Sequence, residues 1–110
     1  MRDLLLIDPR GRTWRVEVPV TRRERMRGLL GRDSLDADHG MLFPRSRSVH
    51  TIGMRFPITV VFLDAELRVL RVLAAPPGRL FLTHRRATHV LEAPASAHFR
   101  VGEVLARRRD

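Results

Sequence analysis

Three polar side chains lie close together in the otherwise apolar stretch Ser48–Asp64: His50, Thr51 and Arg55. An imidazole, a hydroxyl and a guanidinium in one place could hold a carboxylate, a phosphate or a glycan-like ligand. They are the candidate ligand-binding residues of the chain. The competing reading is a self-satisfied polar network beside a proline-bent strand, with Arg55 paired to Asp64, Glu66 or Glu92, because buried polar groups commonly satisfy one another. No residue is assigned a catalytic role.

Other chemistries fare less well. Ser48 and His50 are two apart, so on a strand they share a face. Ser46 is a second candidate nucleophile, yet no Gly-x-Ser-x-Gly elbow is present. A hydrolase or metal-assisted enzyme at His50 and Arg55 is therefore an alternative, and an enzyme is the weaker expectation. His39, His50, His84, His89 and His98 include no i, i+4 pair of the kind that binds zinc on a helix. Asp33, Asp36 and Asp38 lack the glycine and closing glutamate of a calcium loop. No metal and no cofactor is expected. With no cysteine, thiol nucleophiles, thiolate-held clusters and disulfides are excluded.

These residues need a scaffold to position them, and the pattern is one of strands. Asp3–Ile7 reads as an edge strand, and Asp8-Pro9-Arg10-Gly11 as a hairpin turn. The returning strand alternates, with Trp14, Val16, Val18 and Val20 inward. Thr21 and Glu24 have capping-box spacing and open a helix of about three turns. Met26, Leu29 and Leu30 form its apolar face, Arg25 and Arg27 flank it, and Gly31 ends it. Met41–Phe43 reads as a short buried strand stopped by Pro44.

In the central stretch Pro57 joins two extended segments. After it Ile58, Val60 and Phe62 face one way and Thr59, Val61 and Leu63 the other, with both faces against protein. Asp64–Glu66 turns without the Gly or Asn of a tight hairpin, which predicts a looser loop. Leu67–Ala75, Thr88–Glu92 and Val101–Ala106 read as further strands. Between them, Phe81 and Leu82 could pack, while His84, Arg85 and Arg86 look exposed. The sum is a mainly β (α+β) fold: one domain over residues 1–110, a mostly antiparallel sheet curled into a partly closed barrel, and one short helix after the second strand. Residues 107–110 are expected to form a frayed basic tail.

The chain has 110 residues and a formal net charge of +9, and every basic residue is arginine. Length alone allows a self-sufficient core. The charge admits acidic partners and non-specific nucleic-acid contact. Specific recognition lacks support, because Trp14, Phe43, Phe56 and Phe62 sit in core-like patterns and no established motif occurs. No signal-peptide core or membrane-length run is visible, which makes a cytoplasmic protein away from membranes the expectation.

Several blocks then stand in a familiar order. They are Arg25-Met26-Arg27-Gly28-Leu29-Leu30-Gly31-Arg32, Gly40-Met41-Leu42-Phe43, Val49 to Ile58, Val60 to Asp64, Val90-Leu91-Glu92 and Val101-Gly102. Together, over about residues 13 to 106, they resemble the domain of unknown function 192 family of small bacterial and archaeal proteins. The resemblance implies a compact, mainly β fold and carries no known reaction. Ser46 and Thr59 stand where near relatives usually have Cys and Asp. The functional expectation is thus a small binding or interaction module with an Arg/His-lined groove at Ser48–Asp64. Its partner would be a small anionic ligand or another protein, and the chain would be a monomer or weak dimer.

Overall fold

This computed structural model describes residues 1–108, which hold nine strands and one helix. The strands are β1 (Arg2–Ile7), β2 (Thr13–Val18), β3 (His39–Pro44), β4 (Ser48–Val49), β5 (Ile58–Leu63), β6 (Val69–Ala75), β7 (Leu82–Thr83), β8 (His89–Pro94) and β9 (Ala106–Arg107). The helix α1 (Arg22–Arg27) follows β2. Seven strands form one sheet in the order β6-β5-β8-β3-β2-β1-β9, antiparallel except for the parallel β2–β3 pair. β4 and β7 form a separate two-stranded ribbon.

The last segment curls the sheet into a half-barrel. Residues 102–105 exchange backbone hydrogen bonds with the start of β6: Val69 N donates to Glu103 O, Gly102 N to Val69 O and Leu105 N to Leu67 O. At the next residue β9 begins and pairs with β1, at the far side of the sheet. One short stretch therefore ties the two ends together and covers the edge that β1 would otherwise present. The strand expected over 101–106 is shorter and later, because Gly102 turns the chain at φ 93°. The tail is not frayed at its start: Arg107 pairs with Leu6, and Arg108 N donates to Leu5 O. Arg109 and Asp110 lie outside the described residues.

Strict alternation divides the buried residues into two cores. Inside the curl lie Leu6, Trp14, Val16, Leu42, Val61, Leu63, Leu91 and Phe99. On the other face lie Leu29, Met41, Phe43, Met54, Ile58, Val60, Phe62 and Val90. All six residues of β5 are buried, so both of its faces meet protein as the sequence predicts.

α1 opens with the capping box: Glu24 N donates to Thr21 Oγ1 at 3.1 Å, and Thr21 N to Glu24 Oε1 at 3.0 Å. It ends earlier than expected, at Gly28, whose N–H donates to Glu24 O. A side chain at Gly28 would meet the Phe43 ring at 3.2 Å on a φ of 50°, so glycine is needed there for both space and backbone. The early stop leaves Met26 exposed and hands the packing to Leu29. Val20, beyond the end of β2, is likewise exposed.

Two other local expectations change. The Asp64 turn closes without glycine because Asp64 Oδ1 accepts from Glu66 N and Arg68 N while Leu67 takes φ 64°. Phe81 does not pack; it is 81% exposed at φ 54°, next to exposed Leu80.

Asp8 anchors the first hairpin to the rest. Its buried carboxylate accepts from Arg10 N, Arg12 N, Trp14 Nε1 and Arg10 Nη2. Arg10 in turn reaches Glu103 and His98 O, and Trp14 packs on Phe99. Burial alone would raise the Asp8 pKa, but the donors and the Arg10 charge outweigh it and hold the group below its ordinary range. A carboxylate with a lowered folded pKa stabilises the fold above its unfolded value, and that contribution is lost as pH falls through the folded value. Asp8→Ala should therefore cost about 2–4 kcal/mol at pH 7 by stranding buried donors. The gap from the parent, read by urea denaturation, should narrow below about pH 4. A gap that stays constant down to pH 2 would contradict the charge-dependent part.

Candidate functional site

Of the three candidate residues, the structure brings only His50 to a concavity. A cavity of about 150 Å³ opens between α1 with its following turn, the segment from Ser46 to Met54, and the outer face of the sheet. Arg25, Arg27, Leu29, Leu30, Phe43, Ser46, Ser48, His50, Met54 and Glu92 contribute to its walls.

Thr51 does not line it. This fully buried residue is the hub of the turn that follows β4. Its Oγ1 donates to Pro76 O at 2.7 Å and accepts from Arg79 N at 2.9 Å. Its backbone carbonyl accepts from Met54 N and Gly78 N. The hydroxyl is thereby committed to joining this turn to the loop before β7. Arg55 does not line the cavity either. It is exposed and pairs with Asp33 at 2.8 Å, not with Asp64, Glu66 or Glu92. The central stretch is accordingly less extended than expected. Only Ser48–Val49 is strand before Pro57, because Thr51 and Gly53 (φ 81°) turn the backbone.

The arginines of the cavity come from the helix instead. Arg25 Nη1 donates to Pro44 O at 3.0 Å, which fixes the helix over the end of β3. The serines face backbone and neighbours: Ser46 Oγ donates to Ser48 O at 3.1 Å, and Ser48 Oγ lies 2.8 Å from Thr83 Oγ1. Among the described residues no hydrogen bond joins either serine to His50, and His50 has no side-chain partner. Among the described residues, too, no three His, Asp or Glu side chains gather as a metal site requires.

Glu92, which the sequence suggests only as one candidate partner for Arg55, is the further residue of the site. It sits in β8, opposite Met41 on β3 and Val60 on β5. Val90 and Glu92 share a face of β8, and that face is the outer apolar core. Glu92 is 3% exposed, no hydrogen bond or ion pair to its carboxyl is found among the described residues, and no neighbouring charge offsets its burial. Burial pushes its pKa up to about 8. The signal was present in the sequence: one carboxylate at an inward position of the apolar run Val90–Ala93. Its neighbour in the fold, Gly40, has no room for a side chain, since a Cβ there would lie 2.9 Å from Glu92 O.

The family model DUF192, "Uncharacterized ACR", matches residues 5–102. The chain belongs to the DUF192 family. UPF0127 protein PH1112 of Pyrococcus horikoshii is 36% identical over 47 residues, which is 43% of this chain and 41% of that protein. Two crystal structures share the fold. One, a proposed transcription regulator from Sinorhizobium meliloti 1021, has a TM-score of 0.78 at 24% identity, covering 96% of this chain and 92% of that one. The other, a protein of unknown function from Novosphingobium aromaticivorans DSM 12444, has a TM-score of 0.76 at 20% identity, covering 94% and 83%. At these identities the likeness is one of fold. Among the described residues no helix of this DUF192 domain is long and apolar enough to cross a membrane.

The Glu92 environment has a consequence for stability. A carboxyl whose folded pKa, about 8, exceeds its unfolded value near 4.5 keeps its proton in the folded state through that window. Stability then falls as pH rises from about 4.5 to 8 and is level above it, by roughly 1 kcal/mol per pH unit. Glu92→Gln should remove this slope and be more stable than the parent at pH 9. Urea midpoints at pH 5 and pH 9 test it, and parallel profiles for the two proteins would refute it.

Proposed function

We propose that this DUF192 domain is a binding module and that it holds a small molecule in the cavity between α1 and the segment Ser46–Met54. The observation that carries the reading is Glu92. Buried polar groups normally have partners, and leaving one without costs stability. A partnerless carboxyl among Leu29, Met41, Phe43, Met54 and Val60 is a poor structural choice and a good recognition element. The rest of the wall fits the same reading. An apolar cavity with a few converging polar groups, one of them with a displaced pKa, is the usual form of a small-molecule site. Arg25 and Arg27 from α1, in place of the expected Arg55, stand with His50 in the wall. A hydrolytic reading is less favoured, because neither serine is hydrogen-bonded to His50.

The test is a thermal-shift screen against metals, nucleotides, sugars and organic acids at two salt concentrations, run beside His50→Ala and Glu92→Leu. A ligand at 100 times its Kd adds about 2.7 kcal/mol of stability. We expect a salt-resistant rise in Tm for one class that is lost in Glu92→Leu and weakened in His50→Ala. A rise that both variants retain, or none from any class, would reject the cavity as a site.

A second reading, non-specific nucleic-acid contact, is favoured by one observation. Residues 39–63 and 67–91 contain no Asp or Glu. They include the β4–β7 ribbon and its loops, which carry Arg45, Arg47, Arg55, Arg79, Arg85 and Arg86 beside exposed Phe81. Binding of a single-stranded oligonucleotide should weaken steeply with salt, and Arg85→Ala with Arg86→Ala should reduce the log–log slope by roughly 1 to 1.5. A slope unchanged by the double substitution would remove these arginines from the contact.

A further inference from the structure

The cavity is asymmetric in charge, and the asymmetry restricts what it can take. Glu92 is the one carboxyl in its wall. The other charged or titratable groups are Arg25 and Arg27 from α1 and His50 from the segment after β4. The strands on either side of Glu92 add nothing that titrates: β3 presents Met41 and Phe43, and β5 presents Val60. With two arginines and a histidine against one carboxyl, the wall residues favour an anionic ligand over a cationic one.

In the cavity the anion meets a carboxyl. Two carboxylates in contact cannot both be ionised, so one of them keeps a proton and donates it in a short O–H···O⁻ bond. Glu92 is predisposed to be the protonated partner, since it has no protein donor or cation beside it among the described residues and sits in an apolar surround. Size narrows the class further. A volume of about 150 Å³ is that of an apolar cavity that takes up a benzene-sized molecule, which is room for a handful of non-hydrogen atoms. The walls Leu29, Leu30, Phe43 and Met54 are suited to a short alkyl chain and offer it no hydrogen bonds.

We propose that the cavity binds a short-chain monocarboxylate together with one proton, which resides on Glu92 and bonds the ligand's carboxylate. The inference rests on the cavity being a ligand site, and it adds the ligand's class and its proton linkage. Below about pH 8 the proton is already in place and binding takes up little. Above it each bound anion draws a proton from solvent, so affinity falls about tenfold per pH unit.

Isothermal titration with acetate, butyrate and hexanoate tests this, with butylamine and butyramide as the cationic and neutral counterparts. Titrations at pH 7 and pH 9.5, in two buffers of different ionisation enthalpy, count protons. The expected result is carboxylate binding that weakens by more than tenfold between the two pH values, with uptake approaching one proton per ligand at pH 9.5. Glu92→Gln, which keeps a donor that does not titrate, should bind the anion with a flat profile and no uptake. His50→Ala should keep the fall above pH 8, and Arg25→Ala with Arg27→Ala should lose the preference for the anion. Amine binding that strengthens with pH, amide binding equal to that of the carboxylate, or carboxylate binding without proton uptake would each overturn the proton-linked anion while leaving a ligand site in place. Binding of none of the five would overturn the cavity as a site for ligands of this size.

Discussion

The pairing of β5 with β8 is the constraint on which the rest of the structure depends. Both strands lie in the middle of the sheet and are covered on both faces. Every side chain on them must therefore be apolar or find a partner away from water. β5 has six buried residues, and Thr59 is its only polar one. β8 obeys except at Glu92. That exception lies in the wall of the cavity lined by α1, its following turn and the segment Ser46–Met54. The sheet supplies Glu92 to the cavity, and the short elements supply Arg25, Arg27 and His50.

Two buried carboxylates show how differently one chain can treat the same group. Asp8 is surrounded by donors from its own turn and from Trp14, so it is held ionised and locks the hairpin to the closing segment. Glu92 has only apolar neighbours in register, so it is pushed toward its neutral form. The first arrangement is that of a structural anchor, in which burial and hydrogen bonding are matched. In the second, burial is unmatched, which is the physical signature of a group that waits for a partner from outside. The candidates His50, Thr51 and Arg55 divide along the same line. Thr51 is fully used by its turn, Arg55 is engaged at the surface with Asp33, and His50 alone keeps its ring nitrogens available beside the cavity.

The sequence by itself determined the strand pattern, the capped helix, the turn at Asp8–Gly11 and the two-sided burial of β5. Each of these is a local matter: alternation, a capping box, a Pro–Gly turn, a run of β-branched residues. It also carried the family, because the ordered blocks from Arg25 to Gly102 are a property of the chain and not of its folding. Tertiary structure decided the rest. The parallel β2–β3 pair, the closure by residues 102–107 and the early end of α1 at Gly28 depend on which surfaces meet, as the Phe43 ring against Gly28 shows. The site was decided the same way. Sequence proximity grouped His50 with Thr51 and Arg55, but a single turn sent their side chains to three different environments. Glu92, forty-two positions from His50 in the chain, reaches the same cavity because β8 lies between β3 and β5. A run of residues states which faces will be buried; only the packed sheet determines which buried group is left without a partner.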